Sequence, residues 1–169
     1  MKKFELTNEF VTNMFGTKLF RIRALVEFGD VEAGELGGYV EKESNLGHDD
    51  NAWVYDNARV YGNARVYGDA QVSGDARVCG DARVCGNGDY AYAHGFGSVN
   101  RTTTFFRLKD GGVGVRCGCF YGTLAQFRDK IRETHGETKK AQEYLMLADL
   151  MELRFEEDEN EVGNRKYVE

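Results

Sequence analysis

The chain has 169 residues, 30% of them charged and 41% hydrophobic, with a formal charge of −6. This suits one globular domain of ordinary size, or a repeat unit with small additions at both ends. No stretch nears the ~18 consecutive apolar residues of a membrane span, and the opening MKKFELTNEF has lysines without an apolar run, so no secretory signal is predicted. The four cysteines are expected as reduced thiols in a cytoplasm.

Charge is unevenly placed. Ten acids and five bases fall between Glu137 and Glu169, which leaves seventeen bases and eighteen acids before them. Nucleic acid is therefore not an expected partner by net charge, and any anion site must be a local cluster.

In chain order, residues 1–37 read as an N-terminal cap. Its main element is a strand over Thr17–Phe28 (TKLFRIRALVEF) that covers the open end of the neighbouring repeat, since an uncovered end would present unpaired backbone groups. Residues 38–92 count in sixes. Valine recurs at Val54, Val60, Val66, Val72, Val78 and Val84, with Ala64, Ala70, Ala76 and Ala82 two places before the later ones. A period of six is neither the 2 of a strand nor the 3.6 of a helix. It fits a short strand plus a corner, with Gly-Asn or Gly-Asp turning the corner because these residues tolerate positive φ. Three such sides make a coil of eighteen residues around a column of Val and Ala. The phase extends back to Val40 and Leu46, with a two-residue insertion at HDDN before Val54.

Residues eighteen apart should stack at about 4.8 Å. Arg59 then lies under Arg77, Arg65 under Arg83, Tyr61 under Cys79 and Tyr67 under Cys85. Like charges opposed on a sheet need something negative nearby. The corner acids Asp56, Asp69, Asp75 and Asp81, a neighbouring subunit and an anionic ligand all remain open.

Residues 93–157 form a different module. RTTTFFRLKDGGVGVRCGCF reads as a hairpin turning at Asp110-Gly111. An even loop pairs Leu108 with Val113, Phe106 with Val115, Thr104 with Cys117 and Thr102 with Cys119 on a core face. The other face pairs Arg107 with Gly114, Phe105 with Arg116, Thr103 with Gly118 and Arg101 with Phe120. Arg101, Thr103, Phe105, Arg107, Arg116 and Phe120 are thus the candidate ligand-binding residues, because guanidinium forks match phosphate or carboxylate and Phe can stack on a base. Docking against the repeat or a partner subunit is the competing use of this face. No metal site is expected, as Cys117 and Cys119 lack two further ligands nearby. A helix comes next, with Thr123 and Gln126 as capping box and Gly136 as stop, then a second over Thr138–Phe155. Residues 158–169 read as an acidic tail.

The pattern V-x-G-[ND]-A-x resembles the hexapeptide repeat of left-handed parallel β-helix proteins. FGDVEAGELGGYVEKESNL before NAWVY, together with GSVNRTTTFFR, CGCFYGT and ETHG, resembles bacterial and phage hexapeptide-repeat proteins of unassigned function, and more distantly the hexapeptide acyltransferases. The resemblance implies a mainly β fold, a short left-handed parallel β-helix of about three coils, packed as a homotrimer. The expectation for function is a non-catalytic protein, without cofactor, that captures a small anionic, nucleotide-like ligand, in a phage-like setting a sequestering protein. A CoA-dependent acyltransferase using His48 or His94 as base, and a purely structural self-assembly, are the alternatives.

Overall fold

A computed structural model describes residues 2–97 and 101–156. The repeat folds as a β-solenoid of two-residue strands, because six residues leave room for little more than one inward Val and one outward side chain before the next corner. The strands form three rows. The first joins β3 (Leu36–Val40), β5 (Arg59–Val60) and β8 (Arg77–Val78) in parallel. The second pairs β6 (Arg65–Val66) with β9 (Arg83–Val84), and the third pairs β4 (Trp53–Val54) with β7 (Gln71–Val72). Val54 lies beside Val72, Val60 beside Val78 and Val66 beside Val84, each eighteen residues on. Val40 pairs with Val60 and Leu46 with Val66, twenty residues on, so the two-residue insertion is absorbed between the second row and the third. All six valines are fully buried, as are the alanines between them. At about 25 cal/mol per Å² of apolar surface, this column is the main source of solenoid stability.

The N-terminal segment contains two strands instead of one. β1 (Phe4–Thr12) and β2 (Lys18–Ala24) form an antiparallel hairpin, and β2 pairs with β3, so the hairpin widens the first row sideways. The single strand expected over Thr17–Phe28 is shorter, because the chain leaves the sheet after Ala24 to turn through Gly29 and Gly34. The open end is closed by aromatic packing: Phe4 and Phe28 stand edge-on to Trp53, and His48 stacks on Phe4 at 4.4 Å. The Lys3 ammonium donates to the carbonyls of Asp50 and Ala52 at 2.8 and 2.7 Å, which satisfies backbone groups that no further coil meets.

At the other end Tyr90 keeps the phase of the repeat, buried eighteen residues on from Val72 and donating its hydroxyl to the Gln71 carbonyl at 2.6 Å. It also opens β10 (Tyr90–Phe96), the first strand of an antiparallel sheet with β11 (Arg101–Arg107), β12 (Val113–Cys117) and β13 (Phe120–Thr123). The expected hairpin is thus the middle of four strands. One side of this sheet lies on the solenoid, with Phe106 in the solenoid core. The other is covered by α1 (Leu124–His135) and α2 (Lys139–Phe155), packed on Phe105 and Val115. The Thr123 hydroxyl accepts from the Gln126 amide and the Gln126 side chain accepts from the Thr123 amide, the reciprocal cap predicted from the sequence. The acidic tail, 158–169, lies outside the described residues.

Candidate functional site

The hairpin register differs by one residue from the expected one. Thr103 faces Cys117, Thr104 faces Arg116, Phe105 faces Val115, Phe106 faces Gly114 and Arg107 faces Val113. The cause is an odd loop. The Leu108 amide donates to the Gly112 carbonyl and the Gly111 amide to the Leu108 carbonyl, which leaves three residues in the loop, with Gly111 at φ +91°. A turn completed by a left-handed glycine is the usual three-residue solution. A slip of one residue sends every side chain of β12 to the other face.

The six candidate residues are therefore not brought together. Thr103 and Phe105 are fully buried beneath the helices, Thr103 donating to Cys117 Sγ at 3.2 Å and Phe105 standing edge-on to Phe127. Phe120 packs on Phe127 from the sheet's last strand. Arg107 donates to the Phe155 carbonyl at 3.0 Å, lies 3.7 Å from the Asp89 carboxylate and sits over the Phe155 ring, so it fastens the end of α2 to the sheet. Arg101 lies across Gly118, where a β-carbon would collide with its guanidinium. Arg116 alone of the six faces the solenoid.

There it meets the arginine pair predicted from the repeat. Arg59 and Arg77 are register partners, one coil apart. β11 runs beside β8, with the Arg77 amide donating to Thr104 Oγ1 at 2.9 Å, and Arg116 stands opposite Thr104 on the next strand. The Arg116 guanidinium is 4.9 Å from the Phe15 ring centre and 5.9 Å from that of Tyr61. Phe15, on the β1–β2 turn, is 62% exposed, whereas Arg116 is only 8% exposed. The site is thus a groove between the first solenoid row and β12, with three guanidinia along it and two aromatic rings beside them.

Arg21, Arg23, Arg107, Arg128 and Arg132 each have a carboxylate within 4.0 Å, but none of Arg59, Arg77 and Arg116 does among the described residues. The buried Nε of Arg59 has no hydrogen-bond partner there. Burial, and then the charge of Arg59 and more weakly that of Arg116, hold Arg77 below the usual arginine range, with Tyr61 and Asp75 pulling the other way. Two unit charges ~5 Å apart repel by about 3 kcal/mol at an effective dielectric of ~20. The second arginine pair is different, since Arg83 donates to the carbonyls of Asn63 and Ala82, both at 2.9 Å. Tyr61 and Cys79, stacked as predicted, line the floor. Burial raises the Tyr61 phenol and lifts the Cys79 thiol to about 11, so at neutral pH neither is an anion. The groove offers donors and positive charge.

The histidines have structural neighbours. His48 accepts from the Lys3 amide through Nδ1 at 3.0 Å and lies 3.1 Å from Glu43 through Nε2. His94 Nδ1 is 2.8 Å from Thr102 Oγ1, and His135 stacks on Tyr144. A cleft of about 760 Å³ opens on the third row beside Asp30, Tyr55, Asp56, Tyr92 and Arg154, and another of about 590 Å³ beside Arg107 and Phe155. Neither includes Arg59, Arg77 or Arg116, and both are lined by carboxylates as well as an arginine. Among the described residues no group of His, Cys, Asp and Glu could hold a metal ion.

Sequence reasoning identified Arg59, Arg77 and Arg116 separately but missed their meeting and the role of Phe15. The available signal was the second glycine of Asp110-Gly111-Gly112, which suits an odd loop as well as an even one. The YdcK beta solenoid repeat matches residues 52–68, 58–74 and 70–86. No curated protein matches the chain.

Proposed function

We propose that the protein is a non-catalytic binding protein that captures a small anionic, nucleotide-like ligand on its solenoid. Arg59, Arg77 and Arg116 hold the anion, and Phe15 and Tyr61 flank its planar part. The observation that carries this reading is the gathering of three guanidinia with no carboxylate in ion-pair range among the described residues. A phosphate or carboxylate would relieve their repulsion and match the guanidinium fork. In this reading the solenoid is left-handed, as in hexapeptide-repeat proteins, three copies pack as a trimer in the cytoplasm, and the biological use is sequestration of a phage-type kind. An acyl transfer would need a general base in reach of an acceptor hydroxyl, and the groove contains no histidine.

The test is a thermal-shift screen against nucleotides, cyclic nucleotides and CoA, on wild type and Arg116→Ala. A ligand at ~100 times its Kd adds about 2.7 kcal/mol. The expected result is a shift with a nucleotide that Arg116→Ala abolishes. The exposed Phe10, Met14 and Phe15 on the same hairpin favour a second reading, in which a neighbouring subunit covers the groove. In that case Arg116→Ala lowers the mass of the assembly and no ligand shifts the wild type.

A further inference from the structure

The larger cleft, about 760 Å³, falls within the ~300–1,000 Å³ usual for a small-molecule site. It opens on the outer side of the third solenoid row, where three parts of the chain meet. The solenoid gives Tyr55, Asp56 and Ser73, the β2–β3 connection gives Asp30, and β10 and α2 give Tyr92 and Arg154. Its charges are of both signs and stay apart. Asp30 is exposed and has no hydrogen bond or ion pair among the described residues. Arg154 has no carboxylate within 4.0 Å there, and donates instead to the carbonyls of Asn87 and Tyr90 at 3.2 and 3.3 Å.

Two of the side chains are fixed in place by the solenoid corners. Asp56 accepts from the Gly74 amide at 3.0 Å through one carboxylate oxygen, which leaves the other without a donor among the described residues. The corner that Gly62, Gly68, Gly74 and Gly80 turn at φ +62 to +65° is turned here by Asp56 at φ +55°. L-residues avoid this region, although Asp does so less than most, so a carboxylate stands where glycine would turn the chain with less strain. Tyr92 lies with its hydroxyl over the Gly74 corner, where a β-carbon would collide with it, and is 41% exposed.

We propose that this cleft binds a short neutral oligosaccharide. A sugar hydroxyl both donates and accepts, so one uncharged ligand satisfies carboxylates and a guanidinium side by side. Asp30 and Asp56 accept from hydroxyls, Arg154 and Ser73 donate to them, and the C–H face of a pyranose ring lies on Tyr92, whose ring is apolar and whose tip is polar. The Tyr55 phenol, pushed upward by burial and then by the charges of Asp30 and Glu35, remains a donor. A cation would meet Arg154 and an anion would meet two carboxylates, so a ligand of either sign faces a like charge. The arginine groove lies on the first row, and neither site depends on the other.

The experiment is a printed array of neutral, cationic and acidic oligosaccharides probed with the labelled full-length protein. The strongest neutral sugar is then titrated calorimetrically against wild type, Asp30→Ala, Asp56→Gly, Tyr92→Ala and Tyr92→Phe. Asp30 is exposed and glycine suits the Asp56 corner, so these variants keep the fold, which circular dichroism checks. The expected result is one neutral sugar bound per chain, with Asp30→Ala and Asp56→Gly each weakening it about tenfold or more, as for a lost charged hydrogen bond. Tyr92→Ala should weaken it similarly, whereas Tyr92→Phe keeps the ring and the affinity. An array on which no neutral sugar binds overturns the proposal, as does a bound sugar whose affinity neither Asp30→Ala nor Tyr92→Ala changes. Spermidine bound in place of a sugar, and released by Asp30→Ala, would make the cleft a cation site and overturn it equally.

Discussion

Two arginines nine residues apart have opposite duties. Arg107 is closed in by the Asp89 carboxylate and the Phe155 carbonyl, so Arg107→Ala strands a buried acid and an unmet carbonyl. The expected cost is about 3 kcal/mol of stability, read as a lower denaturant midpoint with unchanged slope. Arg116→Ala removes one of three mutually repelling cations and is expected to stay within about 1 kcal/mol of wild type in ligand-free stability. It should weaken nucleotide binding by about 1.5–3 kcal/mol, as expected for a lost charged hydrogen bond, and Arg116→Lys should recover part, keeping the charge without the fork. Lys3 gives a third measurement at this scale. It is 3% exposed, and burial lowers its ammonium to about 8, although Asp50 and Asp49 pull upward. Its folded pKa lies below the unfolded value, so the folded state releases the proton first. The cost of burying the charge is present in full below pH ~8 and lifts as pH rises towards ~10.5. Cys79, raised to about 11, works in the opposite sense above pH ~9. The clean reading is therefore the difference between wild type and Lys3→Met from pH 7 to 9, over which wild type should gain about 1 kcal/mol relative to the variant.

At the scale of elements, the solenoid corners and the hairpin loop differ in how much their sequence specifies. Six valines in phase leave one register for the parallel rows, and the two-residue jump at HDDN was legible because Val40 and Leu46 keep the same spacing on its far side. The hairpin had no such check, since Thr102 to Phe106 alternate equally well on either face and both faces are buried, one by the solenoid and one by the helices. Its register rests on loop parity, to which Asp110-Gly111-Gly112 gives no unique answer. The missed strand β1 is a related case: its polar FELTNEFVT pairs at a sheet edge, where one covered side suffices. The corners invite a direct test. Gly68 has φ +63°, and a β-carbon there would stand 2.5 Å from the Cys85 carbonyl oxygen, whereas Gly86 has open space and no positive φ. Gly68→Ala is expected to cost more than about 2 kcal/mol. Gly86→Ala should be neutral or gain a few tenths by restricting the unfolded chain. Thermal denaturation of the two variants side by side separates corner geometry from mere loss of glycine.

The whole molecule joins two cores through one sheet. β11 gives Phe106 to the solenoid core and Phe105 to the helix core, so one strand ties the two together while each keeps its own exposed apolar surface. On the solenoid side that surface is the β1–β2 hairpin, where Phe10, Met14 and Phe15 are 46%, 63% and 62% exposed beside the arginine groove. Contiguous apolar patches rimmed by charge mark contact sites. Phe15 of this hairpin lies against Arg116, so a neighbour that covers it also borders the groove. A homotrimer is expected, each hairpin lying over the next solenoid, and light scattering should give three times the 19.0 kDa chain mass. Met14→Glu should reduce that mass to one chain, because a carboxylate in an apolar contact is costly. The ligand then tells the two uses of Phe15 apart. If the trimer forms the groove, Met14→Glu loses nucleotide binding along with assembly. If the groove belongs to each chain, the Met14→Glu monomer still binds, and only Arg59, Arg77 or Arg116 substitutions abolish the shift. A protein that is monomeric at micromolar concentration refutes the trimer and leaves a ligand to supply the ion-pair partner that the three arginines lack among the described residues.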